Sequence, residues 1–233
     1  RIDSRIYSNA TLHICSDKSA KQSKYAIINK PAKEGRLDKV IETYLALIGE
    51  ILDPGDKLLV VTYMEIIPKF REMSPYGDQV KFIHWGSKDA RGSNEFREYN
   101  KALVIGWSRK PLHAYVQSVI AINQVDKYVS SHGSVMSDVN HLMDMLIVDE
   151  MVQFFNRIRC RTAIDTIGNC APVDLYVLTG GSEEMEEIIK TTINSEMPGI
   201  SIKDWHAAAG KQLRTKRSRI EERAKNIQGH QFS

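Results

Sequence analysis

Apolar residues recur along this 233-residue chain in two patterns. Four short continuous runs, "KLLVVTY" (57–63), "QVKFIHW" (79–85), "KALVIGW" (101–107) and "VDLYVLT" (173–179), are the kind found in strands covered on both faces of a parallel sheet. "LHICSD" (12–17) and "KYAIIN" (24–29) read as two more short strands joined by a polar loop. Helical spacing appears at Leu37, Ile41, Tyr44, Leu45 and Ile48, which predicts a helix that stops before Asp53-Pro54-Gly55. "MEIIPKFREM" predicts another, shortened or kinked by Pro68.

From Ser137 to about Ile164, the residues Leu142, Met145, Leu146, Asp149, Val152 and Phe155 fall on one helical face, so one long helix is expected there. A further helix follows "VDLYVLT", with Ser182 as its N-cap. Residues 125–137 read as the main loop, and no internal repeat is visible. Strands separated by helices imply a doubly wound, mostly parallel sheet in a three-layer α/β domain over residues 1–198. The tail from 199 to 233 reads as a separate extension of two short helices broken near Gly210.

Composition adds boundaries. A hydrophobic fraction of 42% and a charged fraction of 26% fit a soluble globular domain, and no apolar run approaches the roughly 20 residues that span a bilayer. Cys15, Cys160 and Cys170 are odd in number and far apart, which suits the cytoplasm or another reduced intracellular compartment and gives no zinc spacing. Residues 1–10 lack the apolar core of a secretion signal, and a start at Arg1 suggests a piece of a longer protein. The net charge of +3 is small but unevenly spread: Lys203 to Lys225 carry 8 Lys or Arg against 3 acids.

Three segments carry candidate chemistry. "MLIVDE" (145–150) has the composition of a magnesium-holding Walker B strand, yet the chain has no GxxxxGK[ST] phosphate loop and the spacing around Asp149 is helical. Asp149 and Glu150 are therefore expected on a helix. "LTGGSEEMEE" (178–187) puts two glycines between a strand and a helix, where phosphate can bind, but its acids would repel phosphate and favour ordinary capping. "VQFFNRIRCR" (152–161) sets Gln153 beside Arg157, Arg159 and Arg161, guanidinium groups able to grip phosphate oxygens and stabilise charge in phosphoryl transfer. The plain alternative is a solvated basic helix face. None of the seven histidines pairs with another at ligand spacing, and no metal site is read.

The order of these pieces over about residues 57–180 resembles the C-terminal RecA-like domain of a superfamily two helicase. "KLLVVTY" looks like motif IV. Arg91, Gly92, Asn94, the Leu103–Ile105 run and Pro111 look like motif V, and "QFFNRIRCR" looks like motif VI. Motif VI commonly reads Gln-x-x-Gly-Arg-x-x-Arg; Gln153 and Arg157 match, while Asn156 stands for the Gly and Cys160 for the last Arg.

The resemblance implies a RecA-like fold of the P-loop NTPase type, working with an N-terminal RecA-like ATPase domain that brings the Walker elements and holds most of the ATP and Mg2+. It further implies an arginine finger at Arg157, then Arg161 or Arg159. Gln153, Gly92 and Asn94 would lie at the nucleotide, and Thr62, Arg91 and Ser93 at nucleic acid. The basic tail, with Arg214, Lys216 and Arg217, is a candidate for DNA phosphates in a helix-turn-helix manner. RNA in place of DNA stays open. The competing expectation is a non-catalytic RecA-like module that binds nucleic acid or protein, which Cys160 favours.

Overall fold

A computed structural model of the chain describes residues 5–87, 95–123 and 132–207, with the backbone alone at 122–123 and 132–135. Its centre is a six-stranded sheet in the order β3-β2-β4-β5-β1-β6, built from β1 (Ala10–Cys15), β2 (Leu58–Thr62), β3 (Val80–His84), β4 (Lys101–Val104), β5 (Val173–Leu178) and β6 (Ser201–Asp204). Every pairing is parallel. Between β1 and β2 lie the helices α1 (Lys30–Lys33) and α2 (Leu37–Ile51), between β2 and β3 α3 (Ile67–Met73), between β4 and β5 α4 (Leu112–Asn123) and α5 (His132–Phe155), and between β5 and β6 α6 (Glu183–Glu196). The three-layer α/β architecture is the one expected, and its strand order is consistent with a RecA-like domain.

The continuous apolar runs have a direct physical cause. Successive side chains of a strand point to opposite faces. In β2, Leu59 and Val61 join the core formed with α5 and α6, whereas Leu58 and Val60 join the core formed with α2 and α3. Both faces are sealed, so all five residues of β2 are buried. Removing one such side chain, as in Leu59→Ala, costs about 2–5 kcal/mol. A smaller cluster of Tyr115, Val119 and Val139 joins α4 to α5.

Four expectations are corrected. "KYAIIN" is not a strand: Tyr25–Asn29 form a π-helical turn that runs into α1, because Ile27 and Ile28 can pack under α2 without a neighbouring strand to pair with. The long helix is shifted and ends at Phe155, not near Ile164. Its buried stripe is also rotated from the one expected: Ile147, Val148, Met151, Val152, Phe154 and Phe155 are buried while Met145 is exposed, since the helix packs on the sheet along one side and on α4 along another. The sheet runs past the expected boundary at 198. Ser201–Asp204 is no helix but the edge strand β6, and Trp205 packs edge-on against Tyr176.

Asp149 and Glu150 lie on α5, as the helical spacing required. Ser182 caps α6 by accepting a hydrogen bond from the Met185 amide at 3.2 Å. Pro68 sits in the first turn of α3, behind a single 3-10 turn, where its missing amide costs nothing. All three cysteines are buried and unpaired. Among the described residues no helix is long and apolar enough to cross a membrane.

Candidate arginine site

The arginine segment begins where α5 stops. The amides of Asn156, Arg157 and Ile158 bond back to Val152, Phe154 and Phe155 at 3.0, 3.0 and 3.3 Å, closing the last turn. The chain then passes through an extended residue, Ile158, into a 3-10 turn at Arg159–Arg161. Ile158 and Cys160 are fully buried, which leaves the alternate residues Arg157, Arg159 and Arg161 turned outward and half-buried. Hydrophobic burial of Ile158 and Cys160 thus alternates with three half-buried arginines.

Withdrawal of Arg157 from water, together with the charge of nearby Arg161, lowers the proton affinity of its guanidinium. Cys160 occupies a different environment. Burial pushes its thiol up to about 12, and the thiol donates to the Phe155 carbonyl at 3.0 Å. Position 160 is therefore a core position in this chain. Gln153, one turn before Arg157, is exposed and donates from Nε2 to Asp149 Oδ2 at 2.9 Å.

The site lies at the amino edge of the sheet. The Arg159 amide bonds to the Tyr99 carbonyl at 3.0 Å, two residues before β4 starts. On the same edge, Lys101 buries its ammonium against the Ile51 carbonyl at 2.5 Å, Asp53 at 3.1 Å and Asp56 at 2.5 Å. Burial opposes that charge, but the two carboxylates outweigh it and raise the lysine above its ordinary value. Further along, His13 Nε2 donates to Asp174 at 2.9 Å while its ring stacks on Tyr176.

Open α/β sheets usually hold ligands at the opposite, carboxyl edge, where adjacent strands send their connections in opposite directions. Here that point is between β2, which leads to β3, and β4, which leads to β5. Protein fills it. Gln22, 3% exposed, accepts a bond from the Gly106 amide at 2.6 Å, and the Tyr63 hydroxyl donates to the Gln22 carbonyl at 2.9 Å. Gly106 has φ of 82°, and a Cβ there would meet the Tyr63 ring at 2.4 Å. Trp85 Nε1 donates to the Gly106 carbonyl at 2.9 Å, and Arg109 stacks over Trp107 at 5.3 Å.

The sequence-predicted residues fare unequally. Arg157 and Arg161 are close enough for the charge of one to act on the other, and Gln153 lies one turn before Arg157. Thr62, expected to touch nucleic acid, is fully buried at the end of β2, and its hydroxyl has no partner among the described residues; a side chain sealed between two cores cannot reach a nucleic-acid backbone. Arg91, Gly92, Ser93 and Asn94 lie outside the described residues, as do Arg214, Lys216 and Arg217.

Sequence reasoning missed the Gln22 plug and the Lys101 hub. A lysine opening a wholly apolar strand was a usable signal for the second; Gln22 offered none. Among the described residues no group of His, Cys, Asp and Glu could hold a metal ion. Comparison with known proteins returns no match, either to a family model or to a curated protein.

Proposed function

We propose that this chain is the second RecA-like half of an ATP-dependent nucleic-acid helicase or translocase, supplying arginines to a nucleotide held mainly by another domain of the same polypeptide. The observation that carries the reading is the outward alternation of Arg157, Arg159 and Arg161 at the amino edge, while the sheet's own carboxyl-edge crevice is filled. Charge built on that edge serves a ligand presented from outside the domain. The guanidinium groups fit such a ligand chemically, since each offers paired donors to phosphate oxygens.

When bound, ATP with its Mg2+ supplies the phosphoryl group whose transfer drives the cycle. The part of this chain is to place Arg157, with Arg161 beside it, against charge that develops on the phosphate oxygens. Nucleic acid, DNA in the first instance and RNA otherwise, is gripped through phosphate contacts to which the basic tail adds. Three buried, unpaired thiols support work in a reducing compartment. A non-catalytic binding module is the second reading, favoured by Cys160, which leaves the family's last motif VI arginine without a counterpart.

The experiment is Arg157→Ala in the polypeptide that includes the nucleotide-binding half. Turnover falls by roughly a hundredfold or more while nucleotide affinity falls less, because the charge acts mainly in the transition state. Parental turnover in Arg157→Ala and in both neighbouring arginine variants would favour the binding module.

A further inference from the structure

We propose that the strap Arg5–Asn9, which precedes β1, is a positioning element of the arginine site and acts through Asn156. This inference rests on the function proposed above. Tyr7, 4% exposed, donates its hydroxyl to Asn156 Oδ1 at 2.7 Å. Arg5 Nη1 reaches the same oxygen and the Tyr7 hydroxyl, each at 3.4 Å. On its other side the Asn156 carboxamide donates from Nδ2 to the Val152 carbonyl at 3.0 Å. One side chain thus ties the last turn of α5 to a segment 149 residues away in sequence, and the next residue is Arg157.

The same strap fastens the far end of the arginine segment. The Ile6 amide donates to the Gly168 carbonyl at 3.0 Å, and the Cys170 amide donates back to the Ile6 carbonyl at 2.8 Å. Ser8 Oγ donates to Asn169 Oδ1 at 2.6 Å, and Asn9 Nδ2 donates to the Cys170 carbonyl at 2.9 Å. These two anchorages bracket the chain from 156 to 170. Burial raises the Tyr7 hydroxyl above its ordinary value, so it remains a donor across the neutral range. A glycine at 156, the residue that motif VI commonly has there, could make none of these side-chain bonds. Asn156 is therefore a coupling device in this chain, and a guanidinium displaced by about 1 Å loses much of its catalytic value.

The test compares Asn156→Gly, Asn156→Asp and Tyr7→Phe with Arg157→Ala in the polypeptide that carries both halves, measuring kcat, KM for ATP and Tm. Asn156→Gly lowers kcat by about tenfold and Tyr7→Phe by about threefold, with KM for ATP within about twofold of the parent. Asn156→Asp keeps the acceptor for Tyr7 but loses the donor to the Val152 carbonyl, so its turnover falls between those of the parent and Asn156→Gly. Parental kcat in Asn156→Gly and Tyr7→Phe, alongside an inactive Arg157→Ala, overturns the strap inference and leaves the arginine site standing. A parental Arg157→Ala overturns both. A loss of turnover that vanishes on cooling to temperatures where the variants are fully folded makes the strap a stabilising element only, and likewise overturns the proposal.

Discussion

The two edges of one sheet have been put to opposite uses. At the carboxyl edge, Gln22, Tyr63, Trp85 and Gly106 spend their polar groups on one another, and the crevice between β2 and β4 is occupied by side chains and backbone. At the amino edge, the polar groups divide between a buried charge cluster around Lys101 and an outward row of arginines. The contrast is between an edge closed by its own hydrogen bonds and an edge that carries three half-buried arginines. The proposed function rests on this contrast between the two edges.

The largest effect expected from disturbing the comparison is at the plug. Gly106→Ala puts a Cβ into the Tyr63 ring at a backbone angle that side chains avoid, and costs about 3 kcal/mol, or roughly 6–12 °C in Tm. Thermal melts of the isolated chain measure this. A melt indistinguishable from the parent would mean that the carboxyl edge is loose enough to admit a ligand, and the contrast between the edges would break.

A smaller effect sharpens the amino edge. The charge of Arg161 acts on Arg157. In the polypeptide that includes the nucleotide-binding half, Arg161→Ala should lower turnover about tenfold and Arg159→Ala less than about threefold. The reverse order, read from steady-state hydrolysis, would move the finger to Arg159.

The smallest effect is a pH dependence of stability, located at the amino edge. Burial works against ionisation of Asp56, but bonds from Lys101 and Asn100 outweigh it and hold the carboxyl below its ordinary 3.8; the bond from His13 does the same for Asp174. Groups depressed in the folded state bind protons more readily when unfolded, so their contribution is fully present above about pH 4 and is lost as pH falls through the folded values. Lys101 is raised above 10.5, so its contribution is present below that pH and lost as pH rises through the folded value. Tm should fall on the acid side as these carboxylates take up protons, and on the alkaline side from about pH 9, where the Cys160 thiol, pushed up to about 12 in the fold, already ionises in the unfolded chain, with Lys101 adding to the loss above 10.5. Asp56→Asn should blunt the acid limb; an unchanged acid limb would remove Asp56 from the hub.

Much was legible in the chain alone, for reasons that are local. Four strands announced themselves by short apolar runs, most clearly β2, where sealing on both faces leaves Val60 between Leu59 and Val61 with no polar position. Asp149 and Glu150 were placed on a helix by period alone, and the Ser182 cap by one residue's chemistry. Other features needed the tertiary structure. "KYAIIN" and "SIKD" exchanged the expected roles of strand and helix because short segments carry too little periodicity, and β1 decided the second by offering a free edge. The inward turn of Cys160, the outward turn of its flanking arginines and the hold of Tyr7 on Asn156 depend on which atoms meet across 149 residues of chain, a distance over which no local pattern carries information.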